Sequence, residues 1–392
     1  MKKNRKIEYL VFIILLFLQN FALIRTSDFG INGMILFLFL ISVLNARKYY
    51  FKIKKETFIV LVLGILTLFI SSIINNTFYI TQIIRFIMIF LLIYISNIYI
   101  NEIFVNENKE SFFKIYTNVL LIFLIYGIYE LIANIYSLPL FMNVFANNPS
   151  YGERGLYRYY GGWADRTRLY GTFFEPSVFS VFLTYNIFLV KELNLKKLKK
   201  YILYVLMLFN LFFTYARTGY VTFVYMVGIY FLYEMILKNM KKTSIVDFLI
   251  LLLPFFNLIL MYFLGLNLFS DLSSLGRTYS AIYYLKAAFQ NVKNILFGHS
   301  AGSIINSDIT IKYIEKQAHN GYVDIIYQFG LIAFVYIIYF LYKKIQKINY
   351  KKYLILGVLS TFCCFASYFC VETIIVEVVL IYNFCKNSER DY

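Results

Sequence analysis

Charge is scarce in this chain. Asp, Glu, Lys and Arg make up 15% of its 392 residues, against 60% hydrophobic residues. That balance excludes an ordinary soluble domain, in which about a quarter of residues are charged. Acids are scarcer still, 21 against 38 bases, which leaves a net charge of +17. The surplus does not read as nucleic-acid binding. It sits mainly in short loops such as 47–55, 191–200 and 343–352, between apolar runs. There it fixes topology and meets anionic lipid. Cysteine is confined to Cys363, Cys364, Cys370 and Cys385, in or at the ends of apolar runs. None has metal-ligand spacing with His, so they read as small buried apolar residues without a disulfide. There is no P-loop, dinucleotide fingerprint, zinc signature or Ser-centred nucleophile elbow, and no internal repeat. No segment is long enough to fold alone as a soluble domain. Lys2 to Lys6 before Tyr9 to Leu18 resembles a signal sequence, but no small-x-small cleavage site follows. The segment reads as an uncleaved first helix.

What is present is a series of apolar spans. Hydropathy predicts about 12 transmembrane helices, near 7–24, 29–46, 57–74, 78–100, 112–136, 171–190, 201–216, 219–237, 247–265, 321–342, 353–370 and 371–385. The chain is one polytopic all-α membrane domain over 1–392. The Lys-rich loops alternate with Lys-poor ones, and with twelve spans every Lys-rich loop falls on the cytoplasmic side. Both termini are then cytoplasmic. The abundance of Lys, Asn, Ile, Tyr and Phe points to an AT-rich bacterial genome, and so to a bacterial cytoplasmic membrane.

The two kinds of cation segregate. Of 27 Lys, all but Lys286, Lys293, Lys312 and Lys316 lie on the cytoplasmic side. Of 11 Arg, only Arg5, Arg47 and Arg390 do. Arg25, Arg154, Arg158, Arg166, Arg168, Arg217 and Arg277 face the other compartment, and Arg85 lies within a span. Arg on the outer side opposes the positive-inside rule and needs a reason. Its planar fork fits phosphate and carboxylate. An outward-facing site for a phosphate-bearing substrate supplies the reason.

Two outer loops are long, 137–170 and 265–320. Loops of this length are uncommon unless they bind or cover something. In the first, the stretch 151–171 interleaves Arg154, Arg158, Arg166 and Arg168 with Tyr151, Tyr157, Tyr159, Tyr160 and Tyr170, five Gly and the single Trp163. Aromatic faces stack on sugar rings, and Gly lets backbone approach closely. An interfacial belt explains the Tyr and Trp but not the four Arg. In the second loop Tyr279, Ile282, Leu285, Phe289 and Val292 recur at helical spacing, which predicts an amphipathic helix on the membrane surface. Thr214-Tyr-Ala-Arg-Thr-Gly219 joins two spans with almost no loop, so Arg217 is fixed at the membrane boundary. A snorkelling anchor is the plain alternative, but ionisable groups at this depth are functional by default. The two histidines, His299 and His319, both lie in the second outer loop. His299 sits in a Gly-rich turn and reads as structural. His319 stands at the mouth of a span, where an imidazole suits proton transfer. Glu175, before Pro176, is a candidate carboxylate partner. Glu130, Asp324, Glu372 and Glu377 also lie in or near spans, and one of them is expected to neutralise an Arg or orient His319.

In this order, Gly171-Thr-Phe-Phe-Glu-Pro-Ser177, Ala216-Arg-Thr-Gly219, Gly276-Arg277, Phe297-Gly-His-Ser-Ala-Gly302 and Ala318-His-Asn-Gly-Tyr322 running to Phe329-Gly-Leu331 resemble the Wzy/WaaL superfamily. Its members are O-antigen and capsular polysaccharide polymerases and O-antigen ligases. The family's last element is His, ten residues, then Gly, a spacing that His319 and Gly330 fit. Its Arg turn often has Leu four residues on, where this chain has Val221. The resemblance covers roughly residues 171–342.

The resemblance implies an all-helical, GT-C-like glycosyltransferase that uses no metal, cofactor or nucleotide sugar. Its donor is a glycan on a polyprenyl diphosphate and its acceptor another lipid-linked repeat unit. A flippase and a chain-length regulator are the implied protein partners, beside membrane lipid. Arg217, with Arg277 and Arg85, would hold the diphosphate. His319 would take the acceptor proton. Trp163, Tyr159, Tyr160, Arg158 and Arg166 would hold sugar. Two alternatives stay open. An O-antigen ligase would use the same donor but a different lipid acceptor, and a ladder of graded polymer without ligase product separates the two. A lipid-linked oligosaccharide flippase would need charge along a central path, whereas here charge gathers at one face.

The alternating Lys pattern makes the topology testable. Single Cys reporters at Ser150 and Ser307, in a Cys-free background, should react with an impermeant thiol reagent in intact cells. Protection of both, while a known outer control is labelled, would overturn the topology.

Overall fold

The computed structural model describes residues 5–18, 21–25, 30–44, 55–105, 109–141, 168–173, 175–237, 243–267, 272–305, 314, 318–348, 351–365 and 372–387. They are helical with almost no strand. The chain runs α1 (Lys6–Phe17), β1 (Ala22–Arg25), β2 (Gly30–Asn32), α2 (Gly33–Leu44), α3 (Lys55–Asn75), α4 (Ile80–Val105), α5 (Lys109–Ile135), α6 (Pro176–Glu192), α7 (Lys197–Phe213) and α8 (Arg217–Phe231). A π turn (Leu232–Ile236) ends α8. Then come α9 (Ser244–Leu251), α10 (Leu253–Asn267), α11 (Leu272–Ala288), α12 (Val292–Phe297), α13 (Gly321–Ile345), α14 (Lys352–Phe365) and α15 (Glu372–Asn387). Among the described residues three helices, α4, α5 and α13, are long and apolar enough to cross a membrane, at 26, 27 and 25 residues. At about 1.5 Å per residue each reaches roughly 40 Å, more than the ~30 Å hydrocarbon core. These helices mark the chain as a helical membrane protein.

The chain divides into two compact units, 1–49 with 95–228 and 371–392, and 50–94 with 229–370. In the first, aromatic rings join α1 to α5 and α6. Phe17 stacks on Phe123 at 4.8 Å and meets Phe182 edge-on at 5.1 Å. Backbones approach closest where side chains are smallest. A Cβ on Gly127 of α5 would lie 1.8 Å from Asn210 Oδ1 of α7. The Asn210 amide in turn donates to the Leu124 carbonyl at 3.1 Å. The sequence reading ran the first helix to residue 24 and began the second at 29. Instead α1 stops at Phe17, whose carbonyl is taken by the Thr172 hydroxyl. The chain then turns through an antiparallel hairpin with Ala22 opposite Asn32. Asn32 Oδ1 accepts the Met34 N–H at 2.8 Å, which starts α2 there.

In the second unit both departures from straight helices have a cause. The expected span 247–265 is two helices, α9 and α10, broken at Pro254, which has no N–H to continue the ladder. The Leu251 carbonyl accepts the Tyr322 hydroxyl, and the Pro254 carbonyl accepts the Asn320 amide at 3.0 Å. The expected span 321–342 is present as α13 but is interrupted at Gly330, where φ is 82°. Into this break comes the turn after α12. The His299 N–H donates to the Tyr327 carbonyl at 2.8 Å and the Ser300 N–H to the Gln328 carbonyl at 3.1 Å. From α3, the Ser71 hydroxyl lies 2.7 Å from the Phe297 carbonyl and 2.9 Å from that of Gln328. Asn75 Nδ2 donates to the Gly298 carbonyl at 2.9 Å. At the other end of α13, buried Asp247 accepts from Tyr233, Thr243, Gln346 and Lys352. Cys363, Cys364 and Cys385 are buried thiols, not joined in a disulfide with one another.

Gly330 and Gly228 should therefore respond oppositely to the same change. A Cβ on Gly330 would meet the Leu296 carbonyl oxygen at 2.2 Å, in a left-handed backbone. Gly330→Ala should cost at least about 2 kcal/mol. Gly228, on α8, has nothing within 4 Å of the added methyl. Gly228→Ala should be neutral or stabilise by up to about 1 kcal/mol. Thermal unfolding of the two variants in detergent checks the contrast.

Candidate functional site

The first unit assembles one constellation, where α5 and α7 end and α6 and α8 begin. The return of the first long loop is anchored on α5. Glu130, fully buried, accepts the Tyr170 N–H at 3.2 Å on one oxygen and the Gly171 N–H at 2.7 Å on the other. Gly171 is left-handed, with φ at 58°, and a Cβ there would press on the Phe179 ring at 3.1 Å. The same return docks on the α7–α8 turn. The Leu169 N–H donates to the Phe213 carbonyl at 3.0 Å, and Arg168 Nε to the Thr214 carbonyl at 3.0 Å. Arg168 thus lies against the last, negative end of α7.

The turn itself is tight. The Thr214 hydroxyl donates to the Leu211 carbonyl at 2.7 Å and accepts the Ala216 N–H at 3.3 Å. Tyr215 adopts a positive φ of 46°. Arg217 follows as the first residue of α8 and is half-buried. A cation at a helix amino terminus opposes the helix dipole, while the end itself attracts anions. Gly219 lets α8 cross α6, since a Cβ there would lie 2.3 Å from Ser180 Cβ. Glu175 stands at the amino cap of α6, where its Oε2 accepts the Ser177 hydroxyl at 2.8 Å. The structure thus joins Arg168 to the Arg217 turn. It gives Glu130 a backbone anchoring role in place of the charge-neutralising one expected of these acids. Nothing in the sequence near residue 130 announces that role, because its partners lie forty residues away.

The second unit holds Arg85, Arg277 and His319. Arg85 is half-buried on α4 and Arg277 is exposed on α11. A helix, α11, covers part of the predicted stretch. On it Tyr279 is 40% exposed and Ile282 and Leu285 are half-buried, while Phe289, 48% exposed, lies just past its end. The buried side is made of Ala281, Tyr284, Ala287 and Ala288. Tyr284 packs edge-on against Tyr327 of α13 at 4.9 Å.

His319 is half-buried, with a left-handed φ of 52°. That conformation is uncommon for a residue with a side chain and persists only where the surroundings impose it. They do so on both sides. Asn320 caps α13, its Oδ1 accepting the Tyr322 and Val323 N–H groups at 3.1 and 3.2 Å, while its amide reaches the Pro254 carbonyl. Asp324, one turn later and 2% exposed, accepts the Ala318 N–H. The imidazole is therefore presented on a locked turn.

His299 is of another kind. Its ring stacks on Tyr327 at 4.2 Å, Nε2 lies 3.0 Å from Asn294 Nδ2, and Nδ1 lies 3.3 Å from the Tyr327 carbonyl. Both ring nitrogens are in use when Nδ1 donates and Nε2 accepts, which is the neutral imidazole. Trp163, Tyr159, Tyr160, Arg158 and Arg166, expected to hold sugar, lie outside the described residues. Among the described residues no three His, Cys, Asp or Glu side chains cluster as metal ligands. No protein family model, no curated protein and no solved structure matches this chain.

Burial pushes the His299 imidazole below its ordinary value, Lys293 acts in the same direction, and the Tyr327 carbonyl opposes them. The folded protein thus holds fewer protons at this site than the unfolded chain. Its contribution to stability is complete above about pH 6.5, the unfolded value, and is lost as pH falls through the folded one. His299→Phe keeps the ring stack and has no proton to gain. The fall in melting temperature between pH 7 and pH 5 should be smaller in the variant than in the wild type. Equal falls would show that His299 is not the titrating group.

Proposed function

We propose that the protein is a membrane glycosyltransferase. It polymerises polyprenyl-diphosphate-linked oligosaccharide repeat units at the outer face of the bacterial cytoplasmic membrane, in a GT-C-like bundle of about 12 spans. The observation that carries this reading is the α7–α8 turn. Arg217 opens a helix there and Arg168 is bonded to the same turn. Two guanidinium groups and a helix amino terminus make a positive place at a membrane-facing bundle's end, suited to a diphosphate.

In this reading the acceptor hydroxyl attacks the anomeric carbon of the donor. The sugar–diphosphate bond breaks, His319 takes the hydroxyl proton, and the polyprenyl diphosphate leaves. Charge grows on the leaving oxygen as the bond breaks, so Arg donors fixed beforehand stabilise the transition state more than the ground state. Arg217 is assigned that role, with Arg277 and Arg85 assisting. Trp163, Tyr159, Tyr160, Arg158 and Arg166 hold the sugars, and Glu175 is the carboxylate partner. The left-handed backbone at His319 supports the base assignment, because it orients the ring without a flexible approach. The glycan-bearing lipid is both donor and acceptor. A flippase supplies it and a chain-length regulator acts on the same product.

The test is purified protein with lipid-diphosphate-linked repeat units, scored for multimers. His319→Ala should abolish multimers with expression and insertion unchanged. Arg217→Lys keeps the charge but lacks the planar fork, and should lose activity by about a hundred- to a thousandfold. Arg25→Lys, outside the motif region, should be nearly silent. Near-normal polymer from Arg217→Lys would make Arg217 an interface anchor. Transfer to a lipid A-type acceptor without multimers would make the protein a ligase.

A further inference from the structure

The first unit buries a carboxyl that the proposed reaction does not use. Glu377 on α15 is fully buried. Its Oε1 lies 2.8 Å from the Tyr116 hydroxyl of α5 and 3.4 Å from Asn186 Nδ2 of α6. The Tyr116 hydroxyl also lies 2.7 Å from Asn186 Oδ1. Three helices thus meet at one hydroxyl oxygen.

Counting hydrogens fixes what this cluster contains. The orientation of the Asn186 amide is set by the Phe182 carbonyl, a pure acceptor 3.0 Å from Nδ2. Oδ1 therefore points at Tyr116 and brings no hydrogen. Tyr116 brings one hydrogen and faces two oxygens. If it donates to Glu377, the 2.7 Å approach to Asn186 Oδ1 sets two lone pairs against each other. If it donates to Asn186 Oδ1, the 2.8 Å contact with Glu377 needs a hydrogen from the acid. Both contacts are hydrogen bonds only when Glu377 carries a proton and donates it to Tyr116.

Among the described residues no neighbouring charge offers another solution. From α5, Tyr116 is the titratable group that faces the acid. Lys109 lies over the Phe384 ring at 5.2 Å, seven residues along both helices and so about 10 Å away. From α4, Glu102 pairs with Arg5 at 3.2 Å, beside the Asn101–Asn387 contact. That point is ten residues along α15, about 15 Å from Glu377. From α6 come Asn186 and the Phe182 carbonyl, both neutral, and from α1 the Phe17 ring, 5.8 Å from that of Tyr116. Glu377 Oε2 is buried without a hydrogen-bond partner among the described residues, which suits the carbonyl oxygen of a neutral acid better than half of an anion.

We propose that Glu377, Tyr116 and Asn186 form a proton-binding site inside the first unit, and that the bound proton keeps α5 hydrogen-bonded to α6. When the proton leaves, Tyr116 must turn its hydrogen to the carboxylate and release Asn186. The hydrogen bond between α5 and α6 is then lost. Both helices carry residues of the constellation described above: α5 holds Glu130, and α6 begins beside Glu175. The inference does not depend on which reaction the protein performs.

Infrared spectroscopy of the full-length protein in detergent tests it at pH 7. The wild type minus Glu377→Gln difference should contain a carboxylic-acid C=O stretch, sensitive to deuterium exchange. Carboxylate stretches in its place would overturn the proposal. Gln supplies an Nε2 donor where the acid supplies its proton, so this variant should melt within a few degrees of wild type. Tyr116→Phe is the second measurement. It removes the acid's partner and should shift the same C=O stretch to higher frequency, and an unshifted band there would also overturn the site.

Discussion

Inside a bundle of apolar helices a freed carbonyl has no water to turn to, and the construction of this protein follows from that constraint. At several of the described helix ends and breaks a side chain from elsewhere in the same unit takes the carbonyl. Thr172 takes the carbonyl at the end of α1. Tyr322 and Asn320 take carbonyls beside Pro254. The largest instance is the break at Gly330, into which the Gly298–Ser300 turn is laid almost like a strand and sealed by Ser71 and Asn75. Glycine is required on both sides of that crossing. Cβ atoms on Gly298 and Gly330 would come within 2.4 and 2.2 Å of the opposing backbone.

The same constraint explains where the strained residues stand. Irregular backbone is tolerated only where partners are at hand, so the strained residues gather at helix ends that are already tied down. Tyr215 and His319, both with positive φ, each flank the first turn of a helix. Each is held by hydrogen bonds from a second element. Pre-set geometry of this sort is what proton transfer and anion binding require.

Buried acids follow the rule by different means. Glu130 accepts two backbone N–H groups. Asp247 is surrounded by four side-chain donors, a lysine among them. Asp324 accepts the N–H of Ala318. Glu377 meets neither backbone N–H nor cation in this way, and a bound proton is the remaining means of satisfying its contacts with Tyr116. Four acids that look alike along the sequence thus have four different surroundings.

Hydropathy alone placed several of the helices. Spans read near 78–100, 112–136, 321–342 and 371–385 correspond to α4, α5, α13 and α15 within a few residues, because long apolar runs can bury their backbone only as helix. The periodicity of Tyr279 to Val292 overlaps α11, but the helix ends at Ala288 and its apolar residues Tyr279, Ile282 and Leu285 are not the ones it buries. Spacing reports that one side of a helix is apolar, not which side packs, and small residues such as Ala281 and Ala287 allowed the closer approach. Pro254 was visible in the sequence, but the break it made in the expected span 247–265 was not read from it. The hairpin at 22–32, the anchoring of Gly171 on Glu130, the approach of Arg168 to the Arg217 turn and the meeting of Tyr116, Asn186 and Glu377 were not legible. Each is a pairing between residues up to hundreds of positions apart. Sequence determined which segments leave water and which cations stand apart from the lysines. Tertiary structure decided which polar atom satisfies which, because a hydrogen bond depends on distances of a few tenths of an ångström that no local pattern encodes.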